Sequence, residues 1–228
     1  EGQKKEEIHS RGLWCVIESR VMEYLNEKAM VAEAMARCYA KALTTTTGGN
    51  ISLRVGGVML ITPSGKDKSS LKSEDIAEVD IATGKNLTPE KKLSIETEMH
   101  RLIYVKREDA VSVVHSHPVY CCLFSASDEE IDTSLIAESW YLLDKVKKVP
   151  YALMGTRELA ERVSDYAKDG YNALLLENHG ALSVGKSTIN AFDRLECMEQ
   201  AAHLTVLSRL IRTKGIDEKE RNRIAEMR

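Results

Sequence analysis

Three histidines in this sequence have the spacing of a metal site. His115 and His117 end an apolar segment, and His179 follows a second apolar segment and precedes Gly180. Residues two apart on a strand point to the same face, with Cα atoms ~6.6 Å apart, so the paired imidazoles can reach one ion. Three histidines with an open fourth position are typical of catalytic zinc. The alternative is that each is a buried histidine with its own polar partner.

A carboxylate near such a metal could act as a base. Glu96 and His100 are four residues apart and would share one face of a helix. A metal ion polarises a carbonyl as a Lewis acid, which lets a weak base take a proton from the neighbouring carbon. From local sequence alone, Glu96 and Glu98 are more typical of solvated helix residues, and Glu98 keeps that interpretation.

Two turns rich in glycine and small hydroxyls are candidates for binding phosphate. They contain Thr47, Gly49 and Asn50 in the first turn, and Ser64 and Gly65 in the second. Both present backbone N–H groups that can surround an anion, and Lys66 would add a positive charge. Neither turn matches the Walker or the dinucleotide-binding fingerprint. Without further context, ordinary hairpin turns are the favoured explanation.

The elements that must position these residues follow from the apolar periodicity. Helices are predicted for residues 96–106, 119–124, 156–168 and 187–211, with one or two more within residues 16–43. Strands are predicted for residues 51–55, 58–61, 78–81, 110–115, 149–153, 173–176 and 181–184. Three hairpin-like pairs without regular strand–helix–strand alternation favour an α/β fold, a three-layer α/β/α sandwich with a mostly antiparallel central sheet.

Composition and charge exclude several classes of protein. The 228 residues are predicted to form one domain, residues 1–228, because 43% are hydrophobic and no linker interrupts them. The 32 basic and 35 acidic residues nearly cancel, which argues against binding nucleic acid or a membrane surface. Five cysteines without a C-x-x-C pair argue against a disulfide framework. No run reaches the ~20 apolar residues of a membrane span, so a soluble, cytoplasmic protein is expected.

Taken in order, these motifs resemble those of the class II aldolase/adducin family, and within it the fuculose-phosphate and rhamnulose-phosphate aldolases. The motifs are Gly49-Asn50-Ile51-Ser52, Met59-Leu60-Ile61-Thr62-Pro63-Ser64-Gly65, Glu96-x-x-x-His100, Val114-His115-Ser116-His117 and Asn178-His179-Gly180. Arg194-Leu195-Glu196 resembles the family's terminal-helix signature. The ordered set is far more specific than any single motif.

The resemblance implies a cofactor, a reaction and a set of site residues. His115, His117 and His179 would bind one Zn²⁺ ion, with another divalent metal as the alternative. Glu96 would be the acid/base that forms the enediolate of dihydroxyacetone phosphate during reversible cleavage of a ketose 1-phosphate. The positions matching the family's phosphate-binding residues are Thr47, Gly49, Asn50, Ser64, Gly65 and Ser94. Ile95 stands where the family usually has a second serine.

The resemblance also leaves several assignments open. Family aldolases use a tyrosine, often from a neighbouring subunit, to protonate the aldehyde oxygen; Tyr141 is the candidate, and a core tyrosine explains it equally well. A homotetramer with sites near subunit boundaries is implied. Glu96 favours an aldolase over the 4-epimerases, which typically carry Asp there. A methylthio-sugar-phosphate dehydratase and a non-catalytic, adducin-like scaffold also stay open, and the retained histidines disfavour the scaffold.

Overall fold

The computed structural model describes residues 24–228. Its α-helices are α1 (Leu25–Ala40), α2 (Thr97–Lys106), α3 (Val119–Ser125), α4 (Ala137–Leu143), α5 (Arg157–Lys168), α6 (Thr188–Leu207) and α7 (Glu218–Ala225). Its strands are β1 (Asn50–Val55), β2 (Val58–Ile61), β3 (Ala77–Asp80), β4 (Ser112–Ser116), β5 (Lys147–Val149), β6 (Ala173–Leu176) and β7 (Gly180–Gly185). Short 3-10 helices occupy Ser73–Asp75 and Thr133–Leu135.

The strands form one seven-stranded sheet in the order β3-β2-β1-β4-β7-β6-β5. Every neighbouring pair is antiparallel except β5 and β6, which confirms the predicted mostly antiparallel sheet. The register sets Asn50 opposite His115, and Ser116 opposite Ala181. The start of β1, the end of β4 and the start of β7 therefore meet at the same end of the central strands.

Helices cover both faces of this sheet, which confirms the predicted three layers. Ile51 and Leu53 of β1 belong to a core that includes α1 and α6, whereas Met59 and Ile61 of β2 belong to a second core with α2 and α5. Side chains alternate between the faces of a strand, so apolar residues at successive positions require cover on both sides. The strands β4 and β6 are accordingly buried at every residue.

The strand predicted for residues 149–153 is wrong in its position, because β5 ends at Val149. Pro150 has no N–H to donate to a sheet partner. The N–H of Tyr151 donates instead to the Glu177 carboxylate at 2.6 Å. This contact takes the backbone out of the sheet just where the apolar pattern continues.

The predicted helices lie at the correct positions in the chain, but some of them differ in length from the helices of the structure. The helix predicted for residues 187–211 ends at Leu207. Of the helical segment predicted within residues 16–43, the part that the structure describes is α1, and residues 16–23 lie outside the described residues. One short helix, α4, was not predicted; its Trp140 donates the indole N–H to the Arg221 carbonyl of α7 at 2.9 Å.

Two predictions about the whole chain can be compared with residues 24–228. Within this range, none of the helices is both long enough and apolar enough to cross a membrane. The cysteines Cys38, Cys121, Cys122 and Cys197 are free thiols, as the absence of a disulfide pattern predicts. Cys15 lies outside the described residues.

Candidate active site

Two neighbouring strands bring the three predicted metal-binding histidines together. His115 lies in β4, His117 follows directly after it, and His179 ends the turn between β6 and β7. Because β4 pairs with β7, this turn lies beside the end of β4. One ring nitrogen from each histidine lies within 4.8 Å of the other two. His115 is fully buried while His117 and His179 are partly exposed, so the group is open on one side.

Two glycines let the neighbouring backbone approach these histidines. A Cβ on Gly180 would lie 2.7 Å from the Ser116 carbonyl oxygen and 2.7 Å from His117 Cδ2. Gly49 has a φ of +67°, and a Cβ there would lie 2.7 Å from the His115 carbonyl oxygen. Such distances are far shorter than ordinary van der Waals contacts, and the close packing leaves little room to relax. Both positions therefore require glycine.

The Glu96 carboxylate lies between two of the histidines. Its Oε2 is 3.3 Å from His115 Nε2, and its Oε1 is 3.0 Å from His179 Nε2. Asn50 donates from Nδ2 to Oε2 at 2.8 Å. The helix α2 begins one residue later than predicted, so Glu96 is its N-cap residue. The structure thus brings the predicted base to the predicted metal ligands.

Glu96 is ionised although only 6% of it is exposed. Burial by itself raises the pKa of Glu96. The charge of His115, together with the donors on His115, His179 and Asn50, outweighs burial and holds the pKa of Glu96 well below its usual range. A carboxylate with such a low pKa is a weak base, so the carbon acid that it deprotonates must itself be activated.

Buried ring nitrogens with poor partners indicate that a metal ion fits this group. His115 Nδ1 donates to the Ala181 carbonyl oxygen at 2.9 Å, because a carbonyl oxygen can only accept. When the ring is neutral, its lone pair is on Nε2, which has no well-formed hydrogen bond and faces a carboxylate oxygen. His179 Nδ1 is also without a partner. A cation would stabilise this arrangement, and three imidazoles are typical ligands of a catalytic zinc.

Metal binding requires neutral imidazole, and His117 and His115 differ in how readily their rings are neutral. Burial, followed by the charges of His115 and His179, lowers the pKa of His117 to about 3. Burial also lowers the pKa of His115, but the Glu96 carboxylate more than offsets it and the net shift is upward. A metal ion would compete with that proton for His115 Nε2.

The predicted phosphate-binding turns lie beside these residues. Asn50 donates from Nδ2 to Ser94 Oγ at 3.0 Å as well as to the Glu96 carboxylate. The second turn is anchored to the segment before α2, because the Ser64 N–H donates to the Lys92 carbonyl oxygen at 3.0 Å. Thr47 and Gly65 are exposed. The structure therefore brings Asn50 and Ser94 into contact with Glu96 and leaves the tips of both turns open.

Sequence reasoning missed Lys68, which joins the two turns. Its N–H donates to the Thr46 carbonyl oxygen at 2.9 Å, and its Nζ donates to the Pro63 carbonyl oxygen at 2.7 Å. Lys68 is 1% exposed, and burial lowers its pKa to about 8. Lysines in polar turns are usually on the surface, so no sequence signal marks this one. Lys66, by contrast, is largely exposed and pairs with Asp75 at 3.3 Å.

Comparisons with known proteins agree with this geometry. The sequence profile described as Class II Aldolase and Adducin N-terminal domain matches residues 29–206. The chain belongs to the class II aldolase family. The L-fuculose phosphate aldolase of Methanocaldococcus jannaschii is 32% identical over 186 residues, which are 82% of this chain and 99% of that protein. A solved L-fuculose 1-phosphate aldolase has a TM-score of 0.77 at 30% identity, covering 88% of this chain and 94% of its own.

The same comparisons include a relative with a different name. The 3-oxo-tetronate 4-phosphate decarboxylase of Haemophilus influenzae is 29% identical over 189 residues, covering 80% of this chain and 88% of that protein. The class II aldolase family to which the chain belongs therefore contains close relatives named for more than one reaction. Assignment of a single reaction must rest on the site and on experiment.

Tyr141, the candidate proton donor of this class II aldolase, does not lie at the histidines of its own chain. Its hydroxyl contacts the Met227 carbonyl oxygen at 3.5 Å. Tyr141 lines a cavity together with Ala110 and Gly185, at the ends of β4 and β7 opposite to the histidines. A catalytic role for Tyr141 stays a prediction, and it would require a second copy of the chain.

A buried polar network fixes the helix that follows Glu96. His100 Nδ1 is 2.7 Å from Ser52 Oγ, which in turn is 2.8 Å from the Tyr104 hydroxyl. Burial, and then the charge of His115, lower the pKa of His100 to about 3, so its ring is neutral. These contacts join α2 to β1 in the interior, where hydrogen bonds are strong. The sequence grouped His100 with Glu96 but gave no sign of this network.

Proposed function

We propose that this chain is a metal-dependent aldolase that reversibly cleaves a ketose 1-phosphate to dihydroxyacetone phosphate and an aldehyde. The observation that carries the proposal is the buried, ionised Glu96 carboxylate against three histidines. Similarity to L-fuculose phosphate aldolases over most of both chains supports the same reaction class. The proposed substrate class, metal and base all follow from this combination.

In the direction of synthesis, Glu96 takes a proton from the carbon next to the ketone of dihydroxyacetone phosphate. The electron pair of that C–H bond moves toward the carbonyl oxygen, and the carbon then bonds to the aldehyde carbon. The aldehyde oxygen receives a proton to become the new hydroxyl. Asn50 holds Oε2 of the carboxylate at 2.8 Å, which orients the base before substrate arrives.

His115, His117 and His179 are the residues that would hold the ion, and zinc is the proposed metal. When bound, it acts as a Lewis acid that polarises the substrate carbonyl and so acidifies the neighbouring C–H group. Such activation lets a carboxylate, which is a weak base, take a proton from this C–H group. Among imidazole-binding metals, supply and geometry decide which is loaded, so another divalent ion is the alternative.

The substrate phosphate is proposed to bind at the two turns. The proposed residues are Thr47, Gly49, Asn50, Ser64, Gly65 and Ser94. Because Asn50 contacts both Ser94 and Glu96, the phosphate end and the base end would form one continuous site. Ile95, at the family's second serine position, is 58% exposed and its side chain can donate no hydrogen bond to phosphate.

Proton exchange tests the role of Glu96. Metal-loaded protein is incubated with dihydroxyacetone phosphate in D₂O, and loss of the α-proton signal is followed by NMR. We expect exchange in the wild type and a rate lower by roughly 100-fold or more in Glu96→Gln, as for removal of a general base. Glu98→Gln is the matched control, because Glu98 is half-exposed and pairs with Arg101 at 2.7 Å; its rate should be unchanged.

Two results would contradict the proposal. Equal exchange in wild type and Glu96→Gln would remove Glu96 as the base. No exchange in the wild type, with metal bound and the protein folded, would remove the aldolase reaction itself.

Decarboxylation of a 3-oxo sugar-acid phosphate is the second candidate, supported by the relative named for that reaction. Both reactions leave negative charge on a carbon beside a carbonyl, so the same site can serve either. A panel of ketose 1-phosphates and 3-oxo acid phosphates separates them by product: an aldehyde with dihydroxyacetone phosphate, or CO₂. The same panel, extended to a pentulose phosphate and a methylthio-sugar phosphate, detects 4-epimerisation or dehydration.

Metal content and oligomeric state test the remaining proposals. Three imidazoles support about one zinc ion per chain, measurable by elemental analysis after growth with zinc. A content below about a tenth of an equivalent would favour a non-catalytic, adducin-like scaffold. The proposed homotetramer is checked by sedimentation, and it is the assembly in which a neighbouring Tyr141 could reach the site.

A further inference from the structure

A second cavity lies at the other end of β4 and β7, away from the histidines. Its volume is about 700 Å³. Ala110, just before β4, and Gly185, at the end of β7, line this cavity, whereas His115 and Gly180 mark the opposite ends of those strands. It is therefore separate from the candidate active site. Its size falls within the range of small-molecule sites in proteins.

Positive charge predominates in the lining of this cavity. The basic side chains are Arg107, Lys145, Lys186, Arg194 and Arg228, and the carboxylates are Asp109 and Asp144. Each carboxylate is already paired with an arginine: Asp109 with Arg107 at 2.5 Å, and Asp144 with Arg228 at 3.3 Å. Lys145, Lys186 and Arg194 have no carboxylate oxygen within 4.0 Å in the described part of the chain. None of the three forms an ion pair at this distance, although Asp109 interacts electrostatically with Lys186, and Asp193 with Arg194.

Arg194 is the least exposed of the three unpaired cations. Its Nη1 donates to the Val184 carbonyl oxygen at 2.7 Å and to Asn190 Oδ1 at 2.6 Å, and its Nε donates to the Leu142 carbonyl oxygen at 3.4 Å. All of these acceptors are neutral. Burial, followed by the like charge of Arg107, lowers the pKa of Arg194 and outweighs the opposite effect of Asp193. A bound anion stabilises a partly buried cation near another cation, because it offsets both the cost of burying the charge and the repulsion between the two cations.

We propose that this cavity binds a small dianion between Arg194 and the two lysines. One anionic group would accept from the Arg194 guanidinium, which matches phosphate and carboxylate oxygens in geometry. The second group would lie near Lys145 and Lys186, whose side chains are exposed and can move toward it. A monoanion would leave more of the positive charge uncompensated, so two charges on the ligand fit the lining better. Anion binding in this cavity does not require the proposed aldolase reaction, although Tyr141, which lines the cavity, is also the candidate proton donor to a neighbouring subunit.

Calorimetric titration at fixed ionic strength tests the proposal with two probes that each carry two negative charges, glutarate and propane-1,3-diyl bis(methyl phosphate). We expect wild-type protein to bind one molecule of at least one probe in this cavity. The double variant Lys145→Glu/Lys186→Glu should bind it roughly tenfold more weakly or worse, because two attractive charges become repulsive. The matched control is Lys72→Glu/Lys85→Glu: both lysines are exposed, lie outside the cavity lining and carry the same charge change.

The two probes and the two variants give distinct outcomes. Weakened binding in the cavity variant alone supports the site, and the tighter probe tells whether carboxylate or phosphate is preferred. Equal affinity in both double variants would overturn the proposal, because binding would then lie elsewhere, for example at the phosphate-binding turns. Failure of the wild type to bind either probe at about 10 mM would overturn it too. Circular dichroism confirms that each variant is folded.

Discussion

Replacing Gly180 by alanine tests how closely the backbone packs against the proposed metal-binding histidines. The new Cβ would lie 2.7 Å from both the Ser116 carbonyl oxygen and His117 Cδ2, where ordinary contacts begin at 3.4 Å, an overlap of 3.4 − 2.7 = 0.7 Å on two sides. The φ of Gly180 is not positive, so backbone strain adds nothing. Gly180 also pairs with Leu176 in the sheet, so the backbone cannot withdraw without breaking that pairing.

The expected cost follows from this overlap. Overpacking of a rigid interior costs about 1–3 kcal/mol, which lowers Tm by roughly 2–12 °C for a chain of this length. Displacement of His117 should weaken metal binding by about 10- to 100-fold, as changes next to a metal ligand usually do. Thermal unfolding measures the first effect, and competition with a coloured chelator measures the second.

Gly57→Ala is the matched control, because a Cβ there meets nothing within 4 Å and the φ of Gly57 is not positive. It should unfold and bind metal as the wild type does. The reasoning is refuted if Gly180→Ala keeps wild-type metal affinity and a Tm within about 1 °C of wild type. Equal losses in the two alanine variants would refute it as well.

Three further predictions concern the surroundings of the site. The pKa of Lys68 is about 8 in the folded protein, below its unfolded value of 10.5. Between these two pH values the unfolded chain binds more protons, so the free energy of unfolding rises with pH. Urea titrations of Lys68→Met should lack this rise, and an unchanged rise would contradict the assignment. Burial raises the pKa of the Cys38 thiol to about 12, so iodoacetamide should label Cys38 only after unfolding. Peptide mass spectrometry measures the labelling, and ready labelling of the folded protein would contradict this prediction. Asn50→Ala removes the amide that holds Glu96 Oε2 and should slow proton exchange by about tenfold or more, whereas an unchanged rate would show that Asn50 does not orient the base.

Much of the fold could be predicted because the apolar pattern is local. The strand predicted for residues 173–176 coincides with β6, and the hairpin of β1 and β2 was predicted from alternation and two glycines. The position of β5 could not be predicted in this way. It ends where the Tyr151 N–H bonds to Glu177, 26 residues further along the chain, and no local pattern encodes that contact.

In the candidate site, too, the residues that local sequence identifies could be predicted, and their distant contacts could not. His115, His117 and His179 could be proposed from residue type and spacing, and Glu96 gained its role from the order of the motifs. The partners that orient these side chains are backbone atoms or distant residues, such as the Ala181 carbonyl that accepts from His115 Nδ1. Every residue has a carbonyl, so the sequence contains no signal for which one is used.

The net charge of the chain likewise does not show where its charged side chains lie in the fold. A formal net charge of −3 argues against a long-range field that recruits anions. Interactions between exposed charges are screened beyond about 8 Å at physiological salt, so the local arrangement decides what binds. Glu96 lies among histidines at one end of β4, whereas Lys145, Lys186 and Arg194 lie around the cavity at the other end without forming ion pairs in the described part of the chain. A nearly neutral chain can therefore contain both the proposed metal site and the proposed anion-binding cavity, because the fold places acidic and basic side chains in different regions.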